Sequence, residues 1–307
     1  MEKNVRPIKD HSKHLQHMKR AFRKIKPPKF VFLDSGAFGL YTRNRDKKNS
    51  PQKHYSSTKK FKRYVDEYAE FVKKHIAGID FYANVDVMFN PERSWFVLKY
   101  LEEYHGLNPV PVIHSSTKLK WVEKHLDAGY KFIGLGGGGF GRGKNNYLNW
   151  ADQVFNMICP KSNDYLPTVR VHGFALTAYN LMIRYPWWSI DSTSWVQAAA
   201  WGSIYVPHKR GGEFVFTESP YNMAFSMNSP AVKKGAEHYL KCSAKEKAIL
   251  LEWLDLIGVP IGLNGEWGVC SEHNARKVAN LRFFEMMMKS LPQWPVPFYP
   301  KMTRREL

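Results

Sequence analysis

The chain is poor in cysteine, in acidic residues and in long apolar runs. Three cysteines among 307 residues are too few for a disulfide scaffold and fit a reducing cytoplasm, where we expect the protein to reside. No apolar run approaches the roughly 20 residues that cross a bilayer, so no membrane partner is expected. The N-terminal residues carry charges and histidines where a secretory signal needs an apolar segment, so we expect no export.

Acidic residues number 27 against 46 Lys and Arg, and the formal net charge is +19. The excess is local, because residues 1–75 hold 21 basic and 7 acidic residues. Such a patch suits phosphate neutralisation and predicts nucleic-acid binding, with a solvated basic face or a membrane-surface patch as alternatives. The predicted contacts are Lys47, Lys48, Lys59, Lys60, Lys62 and Arg63. The interleaved aromatic residues fit base stacking or core packing: Tyr55, Phe61, Tyr64 and Tyr68.

No linker and no low-complexity tract divides the chain, so we predict one domain over residues 1–307, with 1–26 as a basic arm. The predicted strands are Phe30–Leu33, Phe81–Val87, Val110–His114, Phe132–Leu135, Val169–Phe174, Trp188–Ile190, Gly202–Tyr205 and Ile257–Gly262. The predicted helices are Lys59–His75, Glu92–His105, Leu119–Ala128, Leu148–Cys159 and Ala231–Asp255. Eight alternating units favour an α/β fold closed as a (β/α)8 TIM barrel, with a late excursion at Trp195–Met227 between strands seven and eight.

Polar residues directly follow several predicted strands, at the end of the sheet where a parallel barrel carries its active site. Asp34 and Asp191 follow strands one and six, and Asp86 lies at the end of strand two, after the apolar run that closes with Val85. Each could instead cap the helix that comes next, and this alternative stays open. Three carboxylates on one rim, flanked by glycines, favour function. Two of them suffice for a displacement at an anomeric carbon that retains configuration, because one attacks while the other moves the proton.

A glycine run, Gly136–Gly139, follows strand four. The run lacks the Lys-Ser/Thr of the P-loop and the spaced third glycine of the dinucleotide fingerprint, which argues against a phosphate loop. Bare backbone at a strand end can instead lie against a flat ring, whose edge the amide N–H and C=O groups read. The run therefore indicates a planar ligand.

These motifs resemble the tRNA-guanine transglycosylase superfamily, and most closely its DNA-modifying branch, which exchanges guanine in DNA for a 7-deazaguanine. The resemblance covers about residues 30–195. It rests on Asp34-Ser35-Gly36-Ala37-Phe38, Asp86, the glycine run, His172-Gly173-Phe174 and Asp191-Ser192, in that order. It implies a glycosyltransferase (pentosyltransferase) on a TIM barrel, acting on double- or single-stranded DNA in a bacterial or phage modification system.

The resemblance also implies the residue roles. The residue at Asp191 attacks the anomeric carbon, expels guanine and holds the nucleic acid as a covalent ester, which the incoming 7-deazaguanine then displaces; the family suggests the 7-cyano form. The residue at Asp34 acts as general acid/base. The remaining predicted base contacts are Asp86, the Gly136 and Gly137 backbone, Phe38 and Phe174 on the two ring faces, Ser35, His172, and His114 where the family often has glutamine. No organic cofactor is expected.

The tRNA-type members of this family carry zinc on three closely spaced cysteines and a histidine, a spacing that this sequence lacks. His238 and Cys242 lie four apart on a predicted helix, and Cys270 and His273 lie three apart near the start of the last one. These four side chains predict a closed, structural zinc site. The alternative is that Cys242 is a buried small hydrophobe and the histidines are surface residues.

Three other functions fit the same residues. A tRNA-guanine transglycosylase shares the mechanism, a non-catalytic nucleic-acid-binding barrel needs only the basic residues, and a glycosidase transfers the sugar to water. They differ in product: exchange in tRNA, no reaction, or an abasic site. The residues do not determine the oligomeric state, the DNA sequence context or a requirement for partner proteins.

Overall fold

The computed structural model describes residues 30–44, 55–115, 117–137, 144–176, 178–229 and 238–299. These residues form two compact units. The first, the parallel-sheet unit, comprises 30–176, 181–192 and 292–299, and the second, the C-terminal unit, comprises 178–180 and 193–291. No described helix is long and apolar enough to cross a membrane.

Strands and helices alternate along the chain as far as Ile190. The strands are β1 Phe32–Leu33, β2 Phe81–Tyr82, β3 Val112–His114, β4 Phe132–Gly136, β5 Arg170–Gly173 and β6 Ser189–Ile190. The α-helices are α1 Ala37–Asn44, α2 Lys59–His75, α3 Pro91–Glu103, α4 Lys120–Asp127, α5 Lys144–Ile158 and α6 Tyr179–Arg184. Short 3-10 turns lie at Tyr55–Ser57, Ile76–Gly78 and Lys161–Asn163.

All six strands are parallel and follow one another in chain order. β1 pairs with β2, while β3, β4, β5 and β6 form a continuous ladder. A parallel bridge from Ala83 to Val110 joins the two sets. The sheet is strongly curved, because the rings of Phe32 on β1 and Phe132 on β4 lie 5.7 Å apart although two strands separate them. The predicted α/β arrangement with parallel strands is confirmed.

Helix α2 illustrates how the sequence pattern produces this packing. The Thr58 hydroxyl accepts the Phe61 N–H at 3.1 Å and thereby caps the helix. Phe61, Val65, Tyr68 and Val72 are buried on one face, each contributing about 1.5–3 kcal/mol by leaving water. Tyr55 is buried as well, so Tyr55, Phe61 and Tyr68 pack in the core, whereas Tyr64 is only partly buried against it.

The C-terminal unit is organised differently. Its elements are α7 Ser194–Ala200, β7 Ser203–Val206, β8 His208–Arg210, β9 Glu213–Val215, β10 Tyr221–Ala224, a 3-10 turn at Tyr239–Lys241, α8 Ala244–Ile257 and α9 His273–Met288. β7 pairs antiparallel with β10, and β8 with β9. Gly211 and Gly212 join β8 to β9 with φ values of +57° and +92°, as a tight two-residue hairpin requires.

Two predicted strands are therefore corrected. The seventh is a strand, but it pairs antiparallel with β10 inside the C-terminal unit. The eighth, at Ile257–Gly262, is not a strand: Ile257 ends α8, and Gly258 caps it with φ +68°. Its apolar residues resemble those of a buried strand. In the structure, the carbonyls of Pro260 and Ile261 accept the N–H groups of Val269 and Cys270.

The predicted helix Ala231–Asp255 is also wrong over residues 238–243, which are not α-helical. Residues 231–237 lie outside the described chain, and His238 precedes the 3-10 turn that leads to Cys242. The α-helix begins only after Ser243, whose hydroxyl and Glu246 form a reciprocal capping box. His238 and Cys242 therefore do not share one helical face.

A buried amide connects α9 to its neighbours in the C-terminal unit. Asn280, fully buried, accepts the Tyr205 N–H at 2.8 Å and donates to the carbonyls of Trp195 at 2.9 Å and Ser203 at 3.4 Å. One side chain thus bonds three backbone groups, one on α7 and two on β7.

Replacing this amide tests its contribution. We expect Asn280→Ala to lower the free energy of unfolding by about 2–4 kcal/mol, because it leaves buried backbone groups unpaired. Asn274→Ala, at an exposed position of the same helix, is the control and should change stability by less than about 1 kcal/mol. Denaturant unfolding measures both, and equal effects would contradict the assigned role.

Candidate active site

Three aspartates lie at the carboxyl ends of parallel strands in the parallel-sheet unit. Asp34 follows β1, Asp86 follows β2 and Asp191 follows β6. Asp34 feels the negative charges of both other carboxylates. The expected convergence on one rim is therefore present in the structure.

The Asp34 carboxyl lies in a sharp turn between β1 and α1. Gly36 adopts φ +70°, and its N–H points to Asp34 Oδ1 at 3.4 Å. The Tyr64 hydroxyl donates to the Ser35 carbonyl at 2.6 Å and occupies the space that a Cβ at position 36 would need. Glycine is thus required here both by its conformation and by this close contact. The sequence pattern indicated Tyr64 only as a stacking or core residue and did not reveal this hydrogen bond beside Asp34.

Asp34 also has a shifted acidity. The side chain is partly exposed, but the surrounding protein removes water from the carboxyl, and this desolvation raises its pKa. The charges of Asp86 and Asp191 raise this pKa further. The N–H groups of Gly36 and Ser35 oppose the shift. A carboxyl with this environment retains a proton more readily than an ordinary aspartate, as a general acid must.

Asp191 is held by the loop that follows β5. The Ala175 N–H donates to Asp191 Oδ1 at 2.7 Å, and the Leu176 N–H donates to its backbone carbonyl at 2.8 Å. Ala175 adopts φ +55°, an unfavourable conformation for a residue other than glycine. The side chain is 49% exposed. Asp191 is thus oriented through one oxygen while the carboxylate stays accessible, and no sequence pattern pointed to Ala175.

His172 lies beneath Asp191. Its Nδ1 is 2.8 Å from the Ser189 hydroxyl, and its Nε2 is 3.7 Å from Asp191 Oδ1, too long for a direct hydrogen bond. The ring is buried between Phe32 and Phe174, at 4.4 Å from each. These contacts fix the His172 ring next to Asp191, where it packs under the side chains at the strand ends.

Asp86 is paired with the histidine at the end of β3. His114 Nε2 lies 2.6 Å from Asp86 Oδ2, and both side chains are largely buried. His114 Nδ1 is buried and has no partner among the described residues. If the carboxylate accepts the Nε2 proton, Nδ1 presents a lone pair that a ligand N–H could use.

The glycines of β4 lie under the protein's own side chains. A Cβ at Gly134 would meet the Phe174 ring at 2.5 Å, and one at Gly136 would meet His114 Nδ1 at 2.9 Å. A Cβ at Gly137, directly after β4, would overlap the Ser115 hydroxyl. The expected bare backbone is therefore covered in this conformation. A flat ring reaches it only if Phe174 or His114 moves. Gly138 and Gly139 lie outside the described residues.

Helix capping does not account for two of the aspartates. Asn90, whose side chain accepts the Arg93 N–H, is the N-cap of α3, and Thr193 is the N-cap of α7. Asp86 and Asp191 are bonded to His114 and Ala175 instead. The alternative interpretation left open by the sequence is thus removed for these two positions.

The other predicted base contacts are placed as follows. Ser35 is buried, and its hydroxyl accepts the Ala37 N–H at 3.4 Å. Phe38, on the first turn of α1, is 54% exposed. Phe174 is half-buried over Gly134. In this conformation Phe38 is accessible to a ligand, whereas Phe174 occupies part of the space next to β4.

The predicted nucleic-acid contacts divide into two groups. Lys47 and Lys48 lie outside the described residues. Lys62 and Arg63 are paired with Asp66 at 2.7 Å and Glu67 at 2.9 Å on the same helix. Lys59 and Lys60 lie on the exposed first turn of α2, and no ion pair to either is found in the part of the chain that the structure describes.

The predicted zinc ligands His238, Cys242, Cys270 and His273 all lie within the described residues. Among these residues no group of three or more His, Cys, Asp or Glu side chains could hold a metal. Both ring nitrogens of His238 contact backbone, Nδ1 at 3.1 Å from the Leu240 N–H and Nε2 at 3.2 Å from the Ser226 carbonyl. Burial raises the pKa of the Cys270 thiol to about 11. In this conformation His238 does not fit a ligand role, and zinc stays a prediction for metal analysis.

No protein-family model matches the chain, and no curated protein matches it. The likeness to the transglycosylase superfamily therefore rests on the motifs at the strand ends.

The raised pKa of Asp34 predicts a pH-dependent stability. The folded protein binds this proton more tightly than the unfolded chain, so ionisation of Asp34 costs stability as the pH rises through its folded-state pKa. We expect Asp34→Asn to unfold at a higher temperature than the native protein near neutral pH. This advantage should vanish as the pH falls below the ordinary value of 3.8.

Thermal unfolding from about pH 8 to about pH 3 measures the difference. Asp127→Asn, at an exposed position in the last turn of α4, is the control for loss of one negative charge. A stability difference for Asp34→Asn that is the same at every pH would contradict the prediction.

Proposed function

We propose that the protein is a nucleic-acid guanine transglycosylase that exchanges guanine in DNA for a 7-deazaguanine on a TIM-barrel-like fold, of which β1 to β6 form the first six parallel strands. The observation that carries this proposal is the pair formed by Asp34 and Asp191, close enough to interact but placed in different environments. Retaining displacement at a sugar needs one carboxyl that keeps its proton and one that attacks. The curvature of the six-stranded sheet supports the barrel.

In this mechanism Asp191 is the nucleophile. The Ala175 N–H orients the carboxylate through Oδ1, so that Oδ2 can attack the anomeric carbon. The C–N bond to guanine breaks as the ester forms, and the Asp34 proton passes to the leaving base. The incoming deazaguanine returns its proton to Asp34 as it displaces Asp191. Atoms and charge balance over the two half-reactions, and the sugar keeps its configuration.

The Asp86–His114 pair supports recognition of the base edge. Guanine and 7-deazaguanines share an amide and amino edge that donates N–H groups. Asp86 Oδ1 and the unpartnered His114 Nδ1 can accept such groups, and burial makes an unfilled site costly. A base in duplex DNA would first be flipped out, at a cost of a few kcal/mol.

The catalytic assignment is tested by guanine exchange. Labelled guanine release from duplex DNA, single-stranded DNA and tRNA is measured with and without 7-cyano-7-deazaguanine. We expect release from DNA that depends on the deazaguanine, no detectable exchange by Asp191→Ala, and a loss of about 10²–10⁴ for Asp34→Asn because proton transfer is removed. Asp127→Asn is the matched control and should exchange at the native rate.

Each other outcome selects one of the rival functions. Release only from tRNA indicates a tRNA transglycosylase, and release without the deazaguanine indicates a glycosidase that leaves an abasic site. Binding without release indicates a non-catalytic barrel. Retained exchange in Asp191→Ala would refute the nucleophile assignment even if exchange itself is observed.

The basic residues of α2 give a separate prediction. Replacing Lys59 and Lys60 with alanine should reduce the slope of log binding constant against log salt by about 2 on duplex DNA, close to the value for two lost phosphate contacts. The control replaces Lys62 and Arg63, which already pair with Asp66 and Glu67 and should reduce the slope less. Fluorescence anisotropy over a salt series measures both, and an unchanged slope for the first pair would place the polymer elsewhere.

A further inference from the structure

A cavity of the parallel-sheet unit lies at the opposite ends of the strands from the three aspartates. Its volume is about 790 Å³. It is lined by the first residues of three strands, Phe81 of β2, Phe132 of β4 and Arg170 of β5. This size lies within the range of about 300–1,000 Å³ in which small-molecule sites usually fall. The cavity is therefore large enough for a ligand that the proposed reaction does not use.

One wall of this cavity is aromatic. The rings of Phe81 and Phe132 lie 5.1 Å apart at nearly a right angle, and neither residue is fully buried. Tyr130 and Trp294 also line the space. The Trp294 indole N–H is buried and has no acceptor among the described residues. A planar ring with a hydrogen-bond acceptor suits this wall, because it provides stacking surface and a partner for the indole.

The charges of the lining are unbalanced. Its acidic residue, Glu102, is engaged by Lys99 at 2.7 Å and by the Tyr130 hydroxyl at 2.6 Å. Two further cations, Lys131 and Arg170, line the cavity, and no ion pair to either is found within the described ranges. The Arg170 guanidinium lies over the Trp188 ring at 5.3 Å, which holds it in place while its N–H groups stay available. The cavity is thus cationic.

This charge does not change near neutral pH. Burial, with the hydrogen bond to Glu102, raises the pKa of Tyr130 to about 12, so the phenol stays neutral. Hydrogen bonds to Glu102 and Tyr130 raise the pKa of Lys99, so it stays charged. The carbonyls that end α3 are already bonded, those of Leu101 and Glu102 accepting the N–H groups of Leu107 and Gly106. They therefore do not repel an anion strongly.

We propose that this cavity binds a nucleotide-sized aromatic anion, with the ring against Phe81 and Phe132 and the phosphate between Lys131 and Arg170. The aromatic wall accounts for the ring, and the two cations account for the phosphate. The ligand ring should carry a hydrogen-bond acceptor, because the buried indole N–H of Trp294 has no acceptor among the described residues. This site is independent of the proposed base exchange.

Calorimetric titration with 2′-deoxyadenosine 5′-monophosphate tests the site. An adenine nucleotide is chosen because the proposed exchange site selects a guanine edge. We expect saturable binding to the full-length protein, weakened about tenfold or more by Arg170→Met and by Lys131→Met, since each removes a charged phosphate contact. Arg170→Lys should bind more tightly than Arg170→Met. Deoxyadenosine and inorganic phosphate should each bind more weakly than the nucleotide.

Two control variants make the test specific. Lys245→Met removes one exposed lysine that does not line the cavity and should bind the nucleotide as the native protein does. Asp86→Asn alters the exchange site and should also bind normally. Thermal unfolding of every variant identifies loss of folding, and Lys131→Met, on a loop, remains informative if Arg170→Met does not fold.

Three results would overturn the proposal. They are no saturable binding of the nucleotide, equal affinity in native protein and both cavity variants, and loss of binding in Asp86→Asn while Arg170→Met binds normally. The last would place the nucleotide at the exchange site. Guanine exchange assays give a separate readout, so failure of one proposal is distinguishable from failure of the other.

Discussion

The parallel pairing of β1 to β6 is the constraint on which the candidate site depends. Because every strand runs in the same direction, all six carboxyl ends lie on one side of the sheet, and the side chains that follow them gather there. Asp34 and Asp191 are more than 150 residues apart in the chain, yet they interact electrostatically. The same pairing gathers the amino ends of the strands at the opposite edge, where Phe81, Phe132 and Arg170 line the proposed nucleotide cavity.

The site combines groups that disturb one another. Desolvation by the surrounding protein raises the pKa of the Asp34 carboxyl, and the nearby charges of Asp86 and Asp191 raise it further. Ala175 is held in a left-handed conformation while its N–H orients Asp191. His114 Nδ1 lacks a partner within the described chain. Unfavourable features of this kind are tolerated where they serve binding or catalysis, which supports the function proposed for this rim.

Much of the parallel-sheet unit could be predicted from local pattern. The bounds of α2 are correct at both ends because Thr58 caps an apolar stripe of helical period, and the first six strands were located from short apolar runs between such stripes. The C-terminal unit could not be predicted in this way. The apolar segment Ile257–Gly262 looks like a buried strand, but Gly258 and the close approach of Gly262 to Gly268 give it another path. Backbone conformations that glycine adopts easily outweigh the apolar pattern there.

The residue types that carry the chemistry, and their order along the chain, are determined by the sequence alone. Asp34, Asp86 and Asp191 at the ends of apolar runs suffice to suggest a carboxylate site and a reaction class. Only the tertiary structure decided how these groups are paired. It placed His114 on Asp86, Ala175 N–H on Asp191 and the Phe174 ring over Gly134. Such contacts join residues on different strands, and their geometry depends on sheet register and curvature, which local periodicity does not encode.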